Sequence, residues 1–161
     1  MEIRVRETGA VMFEDEWRRY IKEKTDLNFG QLDEDTLNQF GADVVFEGPQ
    51  ASGGTVYQYS MRQGVEQMDG KWYTKYVLGP IFTDTPDATA AEQEAAYKAR
   101  KDEEQATAVR ATRTQKLSEC DWTQLADAPV DKAVWATYRQ ALRDVPTQAG
   151  FPWTVQWPDK P

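Results

Sequence analysis

The chain has 161 residues, with 19 Lys and Arg against 27 Asp and Glu, for a formal charge of −8. It has no His and a single Cys, which removes imidazole-based triads, histidine-dependent zinc sites, thiolate clusters and an internal disulfide. The acidic balance argues against a nonspecific grip on phosphate backbones, and six Trp make the apolar content unusually aromatic.

Residues 1–83 carry the strand-like patterns. Glu2 to Glu7 alternates, with Ile3 and Val5 on one face, which suits a strand. Thr8-Gly9 reads as a turn and Ala10 to Phe13 as a short return strand. From Glu14 the period changes: Trp17, Tyr20 and Ile21 share one face of a helix, with Arg18, Arg19, Lys22 and Glu23 largely outside. Asn28 to Leu32 reads as loop. Asp33 can cap a short helix reaching Phe40, with Leu37 and Phe40 inward and Gly41 just past its end. Asp43 to Glu47 is a short strand that Gly48-Pro49 ends.

Thr55 to Met68 and Lys71 to Phe82 flank Asp69-Gly70, a type I′ hairpin signal, because Gly accepts positive φ at little cost. A two-residue loop puts Met61 across from Leu78 and Val65 across from Thr74. The expected buried face is Tyr57, Tyr59, Met61, Val65, Trp72, Tyr76 and Leu78. Gly64 marks either a bulge or, with Arg62-Gln63, a second turn of a three-stranded meander.

Asp84 to Ala88 is a linker. Thr89-Ala90-Ala91-Glu92 fits a capping box, and good helix formers follow to about Glu119. Only Tyr97, Val109 and Leu117 are strongly apolar within 84–119. The first half of that helix offers only Ala91, Ala95, Ala99 and Ala106 for burial. It reads as a solvated spacer or as an Ala-lined coiled coil with another copy or a partner.

Residues 120–161 hold four of the six Trp. Asp131 is an N-cap for a helix with Val134, Trp135, Tyr138, Ala141, Leu142 and Val145 on one side and Lys132, Arg139, Gln140 and Arg143 on the other, stopped by Pro146. Phe151 to Pro158 reads as extended, with Trp153, Val155 and Trp157 on one face. The candidate partner-binding residues are Trp122, Trp135, Tyr138, Phe151, Trp153 and Trp157. The first three also suit a local core, whereas an extended Pro-flanked tail is cheap to order against a partner. Cys120 reads as a small packing residue.

No residue set points to catalysis, a cofactor or a metal. The acidic runs at 14–16, 33–35 and 103–104 read as helix faces and caps, and the glycines of 48–54 lack a phosphate-loop context. Met1 to Arg6 has no secretory-leader pattern, and no window approaches the ~18 apolar residues of a membrane span. The expectation is a protein of the reducing cytoplasm with neither nucleic acid nor membrane as partner.

The C-terminal zone combines Asp121-Trp122-Thr123-Gln124-Leu125, Ala126-Asp127-Ala128-Pro129, the run from Trp135 to Asp144, Gly150-Phe151-Pro152 and Trp157-Pro158. Together, over residues 107–161, these resemble the tail assembly chaperone module of tailed bacteriophages. The run Gly41 to Pro49 looks like the N-terminal extension of some longer phage versions. The resemblance implies a non-enzymatic protein that helps a tail or tail-fibre protein fold, trimerise or assemble in the host bacterial cytoplasm. A component retained in the virion tail, baseplate or fibre attachment is the alternative. The expected fold class is α+β. Residues 1–83 form a small domain with a β-hairpin or meander and two short helices. A linker and long helix follow over 84–119, with self-association through 89–119 as an option. A C-terminal helix with an extended Trp-rich tail completes the chain over 120–161.

Overall fold

The opening alternation forms β1 (Glu2–Val5), with Ile3 and Val5 buried in a core. A computed structural model describes all 161 residues, and the chain divides into two compact units, Met1–Ile81 and Phe82–Pro161. The fold class is α+β.

In the first unit, β2 (Val11–Phe13) and β3 (Ala42–Phe46) both pair antiparallel with β1. β5 (Lys71–Gly79) pairs parallel with β3, and β4 (Tyr59–Met68) forms the outer edge, giving the order β2-β1-β3-β5-β4. α1 (Glu14–Thr25) and α2 (Glu34–Gln39) supply Trp17, Ile21 and Leu37 to the core of Ile3, Val5 and Ala42. Phe29 and Phe40 stand 5.7 and 6.3 Å from the Trp17 ring, so aromatic edges and faces fill the space a small aliphatic set would leave open. The Asp33 carboxylate caps α2 by accepting from the Thr36 N–H at 2.8 Å, and these bonds hold its pKa below the ordinary value. On the sheet, the Arg4 guanidinium lies 3.9 Å from the Trp72 ring centroid, and Arg62 makes a fork to Glu2 at 2.7 and 2.8 Å.

Asp69 and Gly70 both have positive φ, 48° and 79°, as a type I′ turn requires. Val65 faces Thr74 as expected, but Met61 faces Val77, not Leu78. Between Arg62 and Val65, Gln63 and Gly64 oppose the single residue Lys75, and Gly64 has φ 78°. Gly64 is therefore a bulge and not a second turn, and the extra residue moves the register by one. The face expected to be buried is only partly covered. None of its seven residues is fully buried: Tyr59 is exposed and the other six are half-buried, while Thr74, which was not among them, is buried. The core lies instead under β1 and β3, where the two helices pack. Gly48 is needed where it stands, because a Cβ there would overlap the Thr74 carbonyl oxygen.

In the second unit, α3 (Ala90–Ser118) runs 29 residues, about 44 Å at 1.5 Å per residue. Its capping box is complete: the Thr89 hydroxyl accepts from Glu92 N, and Glu92 Oε2 accepts from Thr89 N at 2.8 Å. The Glu94–Lys98 pair forms at 2.6 Å. Ala91, Ala95 and Ala99 stay exposed, while Ala106 and Val109 are buried. A 3-10 turn at Asp121–Gln124 leads to α4 (Lys132–Asp144), capped by Asp131 through Ala133 N and Val134 N. Pro146 sits in a second 3-10 turn, Val145–Thr147.

Two positions of α4 differ from expectation. Val134 is exposed, and Arg139 is buried. The tail also departs from an extended run at its start. Residues 149–154 turn, with Thr154 N donating to Gly150 O at 2.7 Å, and only from Val155 does the chain continue without regular structure. A shared strand face for Trp153, Val155 and Trp157 therefore does not form. Gly150 permits the turn, since a Cβ there would strike the Thr154 carbonyl oxygen.

Candidate functional site

The aromatic cluster is built first by α4. Trp135, Tyr138 and Leu142 follow helical spacing and are buried with Cys120, and Leu117, Val130 and Trp157 pack against them. The Tyr138 ring meets Trp135 edge-on at 5.8 Å, and burial raises the Tyr138 pKa above the ordinary phenol value. Trp122, on the 3-10 turn, stands 6.0 Å from Trp135 but remains 48 % exposed.

A polar knot ties this cluster to the end of α3. The Arg139 guanidinium donates to Leu117 O at 2.9 Å, to Cys120 Sγ at 3.0 Å and to Asp121 Oδ1 at 2.7 Å. Burial alone would lower its pKa, but the bonds from Asp121 and Cys120 outweigh that and the net shift is upward. The Cys120 thiol donates to the Lys116 and Leu117 carbonyls, both at 3.2 Å. Thr123, fully buried, donates to Cys120 O at 2.7 Å. Sequence reading placed Arg139 outside. The signal for it was its spacing, four residues after Trp135 and three before Leu142, on the buried stripe.

The tail returns along α3. Trp153 Nε1 donates to Asp102 Oδ1 at 2.6 Å. Arg110 lies 5.5 Å from the Phe151 ring, and Lys116 lies 5.5 Å from that of Trp157. Gln148 clasps the loop, donating to Gln156 O and accepting from Gln156 N, both at 2.8 Å. Phe151, Trp153 and Trp157 are half-buried. Of the six candidate residues, Trp135, Tyr138 and Trp157 share the cluster and Trp122 flanks it. Phe151 and Trp153 meet α3 at Arg110 and Asp102.

The first unit has a separate cleft of about 260 Å³ beside Arg6, Asn38, Asp43 and Lys71. Arg6 there bonds to both Asp43 and Asn38, so the cleft's main charges answer each other. No group of three His, Cys, Asp or Glu is placed to hold a metal ion, and no helix is long and apolar enough to cross a membrane.

Compared with known proteins, residues 106–161 match the family model described as phage tail assembly chaperone protein. No curated protein and no solved structure matches the chain. The matched segment begins at the first buried residue of α3 and ends with the tail, so it takes in the whole cluster. The aromatic module of residues 106–161 is thus similar to the phage tail assembly chaperone family.

Proposed function

We propose that the chain is a non-enzymatic protein of a tailed bacteriophage that binds a tail or tail-fibre protein and assists its folding and assembly. The observation that carries this reading is the coincidence of the family match with the aromatic module. The mechanism is reversible cover of apolar client surface, driven by aromatic burial. Net negative charge keeps the free protein soluble while it waits. The displaced pKa values trace to structural contacts. Asp33 and Glu92 are caps, Arg6, Arg62 and Glu104 are in ion pairs, and Tyr138 is displaced by burial. In this reading the protein works in the host bacterial cytoplasm. Co-expression with each tail protein of the source phage, followed by pull-down, tests it. One tail protein should be retained and be less soluble without the chain. Retention of none would end the reading.

A second reading, a component kept in the virion tail, baseplate or fibre attachment, is favoured by the exposed first half of α3, since such a helix is usually held by neighbours. Mass spectrometry of purified virions separates the two, because stoichiometric presence is expected only of the structural component.

A further inference from the structure

Three large apolar side chains of the second unit stand well exposed: Trp122 at 48 %, Leu125 at 60 % and Val134 at 47 %. All three belong to one end of the module. Trp122 reaches Trp135 on the first turn of α4, and Val134 precedes Trp135 there. The Lys132 ammonium, on the same turn, donates to the carbonyls of Leu125 and Ala126 at 2.9 and 3.0 Å. The tail rings, by contrast, are half-buried against their own unit. The free aromatic surface is therefore at the N-terminal end of α4 and not on the tail.

The chain around that surface holds more acid than base. From Leu117 to Asp131 the chain has Glu119, Asp121, Asp127 and Asp131 and no Lys or Arg. Two cations follow, Lys132 on two backbone carbonyls and Arg139 paired with Asp121, so residues 117–139 hold four acids and two bases. Glu119 meets only the neutral Gln115 amide, and Asp131 only backbone N–H groups. A second copy would bring the same net-acidic segment against itself.

We infer that this surface is the client-docking site and that it takes a short apolar segment flanked by Lys or Arg. The inference rests on the chaperone reading and names the chemistry of its client. Apolar anchors supply the burial, and the basic flanks select the partner and speed encounter.

The test uses the full-length chain and three synthetic peptides of about twelve residues, long enough for two turns of helix or a short extended stretch. One has Leu and Phe anchors with Lys flanks, one the same anchors with Glu flanks, and one Lys flanks with Ser anchors. Affinities are read by calorimetry at two salt concentrations. The Lys-flanked apolar peptide should bind at least tenfold tighter than the other two and weaken as salt rises. Leu125→Ser should lower its affinity at least tenfold with circular dichroism unchanged. A Glu119→Gln, Asp127→Asn double variant should weaken it severalfold and flatten the salt dependence. Equal binding of the Glu-flanked peptide overturns the inference. So does a Leu125→Ser variant that folds and binds normally, or sedimentation showing a dimer that Leu125→Ser dissolves. If Leu125→Ser does not fold, the double charge variant decides in its place. A tail protein held equally by wild type and Leu125→Ser overturns this surface but leaves the chaperone reading standing. The expected peptide ranking with no tail protein held supports the surface and removes the chaperone reading.

Discussion

Arg139 is 8 % exposed and spreads its guanidinium over a carbonyl, a sulfur and a carboxylate. Its partner Asp121 is largely solvated, so removing the arginine frees no buried acid but leaves the Leu117 carbonyl and the Cys120 thiol without their donor. Arg139→Ala should therefore destabilise the second unit by about 2 kcal/mol, read as a lowered urea midpoint. Arg139→Lys should recover only part of that loss, because one ammonium cannot span three acceptors as a planar fork does. Gly150→Ala tests the tail turn. The added Cβ strikes the Thr154 carbonyl, so the turn must open or the unit lose about 1–3 kcal/mol. Amide exchange at Thr154, which donates to Gly150 O, should accelerate; unchanged protection there would show that the turn tolerates the methyl.

At the scale of elements, the caps read true because their chemistry is local. Ser, Thr and Asp at a helix start act on N–H groups two or three residues on, and sequence order alone puts them there. Asp33, Thr89 and Asp131 all cap as expected. The α3 box has a pH consequence. Hydrogen bonds from Thr89 lower the Glu92 pKa in the folded state. A depressed carboxylate contributes stability that is present above its unfolded pKa and is lost as pH falls through its folded one. The first turn of α3 should thus loosen in the acidic range below the ordinary glutamate pKa, while remaining protected at neutral pH. Amide exchange at Glu92 and Gln93 measures it, and Glu92→Gln should remove most of the pH dependence. Thr89→Ala should cost about 1 kcal/mol of helix stability. The hairpin shows the opposite case. Asp69-Gly70 fixed the turn and the near register, but a bulge midway along β4 shifted everything beyond it. A local pattern with two allowed outcomes at Gly64 does not decide which face a strand presents.

At the scale of the whole molecule, each unit has its own core. Ile3, Val5, Trp17, Ile21, Leu37 and Ala42 form one, and Cys120, Trp135, Tyr138 and Leu142 form the other. Deleting residues 151–161 removes Trp157 from the second core and nothing from the first. The truncated chain should lose cooperative unfolding in its C-terminal unit while residues 1–81 keep their exchange protection. Loss of protection throughout both units would show that the two cores are not independent.

The sequence by itself determined the element order, the caps, the Asp-Gly turn, the α+β class and the family resemblance of the C-terminal zone. All of these rest on spacing within a few residues or on residue order. What only the tertiary structure decided was which surfaces meet. Asp102, Ala106, Val109, Arg113 and Lys116 form one helical stripe, yet three of the five are charged, and only Ala106 of them stood on the alanine seam that the sequence offered for burial. α4 and the turn after it pack on α3, and the tail lays Trp153, Phe151 and Trp157 against its Asp102, Arg110 and Lys116 neighbourhood, where hydrogen bonds and cation–ring contacts suit charged side chains. The same return of the tail occupies the rings that looked free and leaves Trp122 and Leu125 in the open. A polarity pattern records what a side chain can bury with; it does not record what a segment fifty residues away brings to it.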